Sequence, residues 1–148
     1  MDRLDSPRRR APWHLWVVGI FALLWSCGGA VDYYFTQTEN EAYLSNFTEA
    51  QLDFFLSIPA WVVAFWAIAV WGGVLGAILL LAKRKAAVWV FLASLVGLII
   101  TAFHNYVLAD GLSVMGDAFS LGFTAAIFLL SLAFFFYARA MARRGVLV

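Results

Sequence analysis

Charge is scarce in this sequence. Asp, Glu, Lys and Arg make up 13% of its 148 residues, where soluble domains carry about 25%. That shortage excludes a soluble domain wrapped in a polar shell. A single cysteine, Cys27, excludes an intrachain disulfide and any cysteine-rich metal site; its position inside an apolar run reads as packing by a small side chain. Also missing are a Walker loop, a His-Glu-x-x-His helix, a nucleophile elbow and a helix with paired carboxylates. No Lys, Arg or Glu lies near the middle of an apolar run, where transporters usually place coupling groups, and the two halves show no convincing internal repeat. Catalysis has little to stand on, so neither an enzyme, nor a cofactor, nor a metal site is expected.

What is present is apolar: 64% hydrophobic and 18% aromatic residues, with a mean hydropathy of +0.86. These residues come in four runs, Trp13–Phe35, Pro59–Ala82, Ala86–Ala109 and Ala118–Tyr137. At ~1.5 Å rise per residue, about 20 residues cross a hydrocarbon core of ~30 Å. The expected fold is an all-α membrane protein, a compact bundle of four transmembrane helices forming one domain over residues 1–148, with a loop at 36–58.

The ten Lys and Arg residues set the threading. Arg3, Arg8, Arg9 and Arg10 precede span one, Lys83, Arg84 and Lys85 link spans two and three, and Arg139, Arg143 and Arg144 follow span four. All three segments fall on one side, and the positive-inside rule makes that side, with both termini, cytoplasmic. Apart from Asp2 and Asp5, the acids (Asp32, Glu39, Glu41, Glu49, Asp53, Asp110 and Asp117) gather at or near the outer face. A rim of that sign repels anions and attracts cations over a Debye length of ~8–10 Å. The start "RRRAPWHLWVVGIFALLWSCGGA" has the basic and apolar parts of a secretory signal. Trp25 is too bulky beside the small residues of a cleavage site and apolar character runs on to Phe35, so span one is expected to be retained.

The outer loop contains two capping-box patterns, Thr38 with Glu41 and Thr48 with Gln51. After the second, Leu52, Phe55 and Leu56 recur at helical spacing, which predicts a short amphipathic helix before Pro59 opens span two. Inside the bilayer, close packing depends on small residues. Candidate packing positions are Gly72 and Gly76 in span two, Ala93 and Gly97 in span three, and Gly122 and Ala126 in span four. Of the seven tryptophans, Trp13, Trp16 and Trp89 are placed at the inner interface and Trp61 at the outer. Trp25, Trp66 and Trp71 lie deeper.

The stretch "ITAFHNYVLADG" puts polar side chains near the outer end of span three. His104 and Asp32 lie at matching depth, and on a helical wheel Thr101, His104 and Asn105 share a side with Ala93 and Gly97. Unpaired polar groups in hydrocarbon cost several kcal/mol, so this side is expected to face protein. The candidate polar network is Asp32, Thr101, His104, Asn105 and Tyr106, with Asp32 and His104 as a candidate proton-sensing pair; the plainer alternative is hydrogen-bonded glue between helices.

The Trp13-His14-Leu15-Trp16 opening, Asp32-Tyr33, the Thr36-Gln37-Thr38 turn, Asn40-Glu41-Ala42-Tyr43 and Pro59-Ala60-Trp61 together resemble a family of small alphaproteobacterial inner-membrane proteins. The resemblance covers nearly the whole chain. It implies a bacterial inner-membrane protein and, through the label its members commonly carry, a sugar transporter; it brings no catalytic or binding residue with it. The residues themselves leave two functions open. One is a structural or accessory subunit that packs against itself or a larger membrane complex. The other is an oligomeric small-solute carrier that uses the outer polar patch and the deep tryptophans. The partners expected are the lipid bilayer and other membrane subunits or a second copy, with a small solute in the second case and no nucleic acid in either.

Overall fold

In a bilayer no water is available to the backbone, so each crossing segment must satisfy its own amides, and the α-helix does this. The computed structural model describes residues 10–148; Arg3, Arg8, Arg9, Asp2 and Asp5 lie outside the described residues. Four helices are long and apolar enough to cross a membrane. They are α1 (Trp13–Gln37), α4 (Ala60–Leu81), α5 (Ala86–Phe103, continued by a π-helical turn His104–Leu108) and α7 (Ala118–Arg143). Short helices α2 (Glu41–Leu44) and α3 (Glu49–Leu56) lie between α1 and α4, and α6 (Leu112–Met115) lies between α5 and α7. The chain is an all-α, four-span, multi-pass membrane protein. Helix α7 outruns its predicted end at Tyr137, because "ARAMAR" leaves the apolar window while staying rich in helix formers.

The spanning helices pack in the order α1–α4–α5–α7, with the α4–α5 seam the most extensive. Small residues explain that seam. A Cβ on Gly97 would lie 2.7 Å from the Phe65 carbonyl oxygen and 3.1 Å from the Ala69 nitrogen, so α5 rests directly on the backbone of α4. Gly72 faces the Ser94 Cβ and Gly76 faces the Phe91 ring, while the Ser94 hydroxyl donates to the Ala69 carbonyl at 2.5 Å. Two expected packing residues sit elsewhere. Ala93 is exposed and Ser94 takes its place, because a four-residue repeat drifts about 40° per step on a helix of 3.6 residues per turn. Gly122 has open space around it because it lies on the exposed side of α7, and Ala126 is half-buried.

The main core cluster lies at one end of the molecule, the end that carries Lys83, Arg84, Lys85, Arg139, Arg143 and Arg144. Here Leu15, Leu80, Ala87, Met141 and Leu147 bury one another. Helices α1 and α7 meet through ring contacts, Phe21 against Phe134 with centroids 6.0 Å apart, and through His14 Nδ1 and the Tyr137 hydroxyl at 2.5 Å. Gly145 (φ 75°) ends α7 in a Schellman turn, with the Val146 amide donating to the Met141 carbonyl at 3.0 Å. The tail then folds back. Val148 bonds the α4–α5 link twice, its amide to the Lys83 carbonyl at 2.9 Å and its carbonyl to the Lys85 amide at 3.1 Å. Leu147 is wholly buried beneath it.

At the opposite, acidic end the loop follows local capping chemistry. The Thr48–Gln51 box forms, with the Gln51 amide donating to Thr48 Oγ1 at 3.2 Å and the Thr48 amide to Gln51 Oε1 at 3.1 Å. The Thr38 box does not form. Helix α1 runs on to Gln37, so Thr38 closes it, its hydroxyl donating to the Tyr34 carbonyl at 2.8 Å. Asn40 caps α2 in its stead, accepting from the Tyr43 amide at 3.0 Å.

Candidate functional site

Because α1 and α7 close against each other mainly at the basic end, their other halves leave a space. A cavity of about 710 Å³ lies between α1, α4, α5 and α7, and reaches the loop helices at the acidic end. The rings of Phe91 and Phe134, 6.1 Å apart, form its floor. Gly28 and Gly29 keep the α1 wall open, with nothing within 4 Å of a Cβ at either position. Rings dominate the walls, among them Trp25, Trp66, Phe119 and Phe123, and Trp25 leans on Phe123 at 5.9 Å.

The structure brings Asp32, Thr101, Asn105 and Tyr106 to this one cavity. Their partners differ from the expected ones. Asp32 Oδ1 accepts a hydrogen bond from the Tyr43 hydroxyl. Helix α2 carries Tyr43 back over the end of α1, where its ring packs on Phe35 and Phe47. Burial pushes the Tyr43 hydroxyl well above its ordinary pKa, and the hydrogen bond to Asp32 and that group's charge push the same way. Tyr43 is therefore a donor throughout the physiological range. Asp32 Oδ2 has no hydrogen-bond partner among the described residues. The Tyr106 hydroxyl bonds Thr124 Oγ1 across to α7 at 2.9 Å. Thr101 returns its hydroxyl to the Gly97 carbonyl at 2.8 Å.

His104 is the exception. It is buried against α4, edge-on to Trp61 with centroids 5.5 Å apart, and its Nδ1 lies 3.1 Å from Asn105 Oδ1. It does not line the cavity, and no hydrogen bond joins it to Asp32 among the described residues. His104 falls about 100° from Asn105 on the helical wheel, on the flank of α5 turned to α4, and α4 stands between α5 and α1. Beyond His104 the helix widens into the π-helical turn, in which the Ala109 amide donates to the His104 carbonyl, five residues back, at 2.8 Å. Asp110 (φ 53°) then reverses the chain. Gly111 presses so closely on the Asn105 carbonyl that it leaves no room for a Cβ.

Sequence reasoning passed over Tyr43 as a site residue. The signal was present in Asn40, a strong helix cap three residues before it. Of the deep tryptophans, Trp25 and Trp66 line the cavity, whereas Trp71 is half exposed on the outer surface and touches Tyr33 at 6.4 Å. Compared with protein-family models, with curated proteins and with solved structures, the chain matches none.

Proposed function

We propose that this protein is a non-enzymatic bacterial inner-membrane protein that binds a small solute in the cavity between α1 and α7. In this reading it serves as the binding unit of a carrier, with the basic end and both termini in the cytoplasm. The cavity carries the reading. At about 710 Å³ it falls within the ~300–1,000 Å³ of small-molecule sites, and like them it joins apolar walls to a few convergent polar groups. The orientation rests on the charges: among the described residues, every Lys and Arg from Lys83 onward lies at the end opposite Asp32. Sugar, the solute implied by the family resemblance, is one class such a cavity accepts through ring stacking.

A second reading, an accessory subunit that packs on a partner or a second copy, is favoured by α7. Only 6% of its apolar window is buried, and Gly122 is free for a close helix contact. Native mass spectrometry of protein released from its own membrane separates the two. A bound small molecule, lost when Gly29→Trp fills the cavity, is the expected result. A stoichiometric protein partner with no small molecule sinks the solute reading.

A further inference from the structure

We infer that the solute taken by this cavity is a lipophilic organic cation, held by Asp32 among aromatic faces. The inference rests on the solute-binding reading and adds the ligand's charge and character. Among the described residues, Asp32 is the one carboxylate lining the cavity, and no Lys, Arg or His lines it. One of its oxygens is held by Tyr43. The other, without a partner among the described residues, is left to a ligand. A carboxylate partly withdrawn from water is favoured in its ionised form by an opposite charge beside it, which a bound cation supplies.

The walls point the same way. Trp25, Trp66, Tyr43, Phe47, Phe119 and Phe123 all border the cavity. Aromatic faces carry the negative end of the ring quadrupole and attract cations, more strongly where water is excluded. The same rings repel an anion, so the two features select one sign. The approach is also matched. Glu39, Glu41, Glu49, Asp53, Asp110 and Asp117 surround the acidic end with exposed carboxylates, a field that draws cations in and slows anions. Size sets the last condition, because the volume suits a bulky apolar cation rather than a metal ion, and no group of three or more metal-ligating side chains occurs among the described residues.

Tetraphenylphosphonium and tetraphenylborate share shape and apolar surface and differ in sign. Equilibrium dialysis of each against the detergent-solubilised protein, corrected with detergent alone, tests the inference. Saturable binding of the phosphonium, at least tenfold tighter than that of the borate, is expected. Asp32→Asn should weaken the phosphonium at least tenfold, while Asp32→Glu, which keeps the charge, should restore most of it. Equal binding of the two ions, or an Asp32→Asn protein that folds and binds as before, overturns the inference and leaves solute binding standing. Binding of neither ion, in protein that still carries a small molecule displaced by Gly29→Trp, likewise overturns the cation and spares the broader reading.

Discussion

Gly97→Ala adds one methyl group where α5 lies directly on the α4 backbone. The new carbon would lie 2.7 Å from the Phe65 carbonyl oxygen and 3.1 Å from the Ala69 nitrogen, about 0.7 Å short of ordinary contact with the first of these. Both atoms belong to the α4 backbone, so no side-chain rotation relieves the clash and the two helices must part. Separation also stretches the 2.5 Å bond from the Ser94 hydroxyl to the Ala69 carbonyl. Overpacking of this kind costs about 1–3 kcal/mol, against a gain in helix propensity of at most ~1 kcal/mol. Gly122→Ala is the internal control, because nothing lies within 4 Å of its Cβ; it should be neutral or stabilising by up to ~1 kcal/mol. Reversible unfolding in mixed micelles, followed by tryptophan fluorescence, measures both. Equal stability changes in the two variants would refute the α4–α5 seam as described.

Other consequences follow from the ends of the molecule. Leu147→Ala empties a fully buried site beneath the α4–α5 link and should cost about 2–5 kcal/mol in the same unfolding assay; a cost below ~0.5 kcal/mol would mean that the tail does not dock. Asp117 caps α7, and bonds from the Ser120 hydroxyl and amide hold its carboxyl below the ordinary value of 3.8. The folded state therefore binds this proton less readily than the unfolded one. The cap's contribution is complete above pH 3.8 and fades as pH falls through the lower folded value. Asp117→Asn, which retains a capping oxygen but has no charge to lose, should flatten that acid limb in a titration of unfolding midpoint against pH; an unchanged limb would contradict the capping account.

Hydropathy made the four spans legible because every membrane-crossing residue answers to the same solvent, and the helices begin and end close to the expected places apart from α7. Thr48 and Gln51 were legible for a different reason, since a capping box is a local reciprocal bond that needs no tertiary partner. The cavity was not legible. Phe119 and Phe123 are equally apolar whether they face lipid or a cavity, so nothing in composition marks where α1 and α7 fail to meet. Nor was the π-helical turn, because hydrogen-bond spacing leaves no trace in a hydrophobic run. Matching depth along the spans found Asp32 but named the wrong partner. The donor came from Tyr43 in the loop, which depth counting along straight helices does not reach.

The central claim is that the α1–α7 cavity is water-reachable from the acidic end and that this end faces away from the cytoplasm. Thiol labelling with a charged, membrane-impermeant methanethiosulfonate tests it most directly, in a chain whose native thiol is removed by Cys27→Ser. Thr124→Cys lies on the cavity wall, Leu129→Cys on the exposed outer side of α7 and Asp53→Cys on the acidic rim. With reagent outside intact spheroplasts, labelling at positions 53 and 124 and none at 129 is expected. Labelling at 124 no faster than at 129, or labelling at 53 and 124 only in inside-out vesicles, would contradict the account.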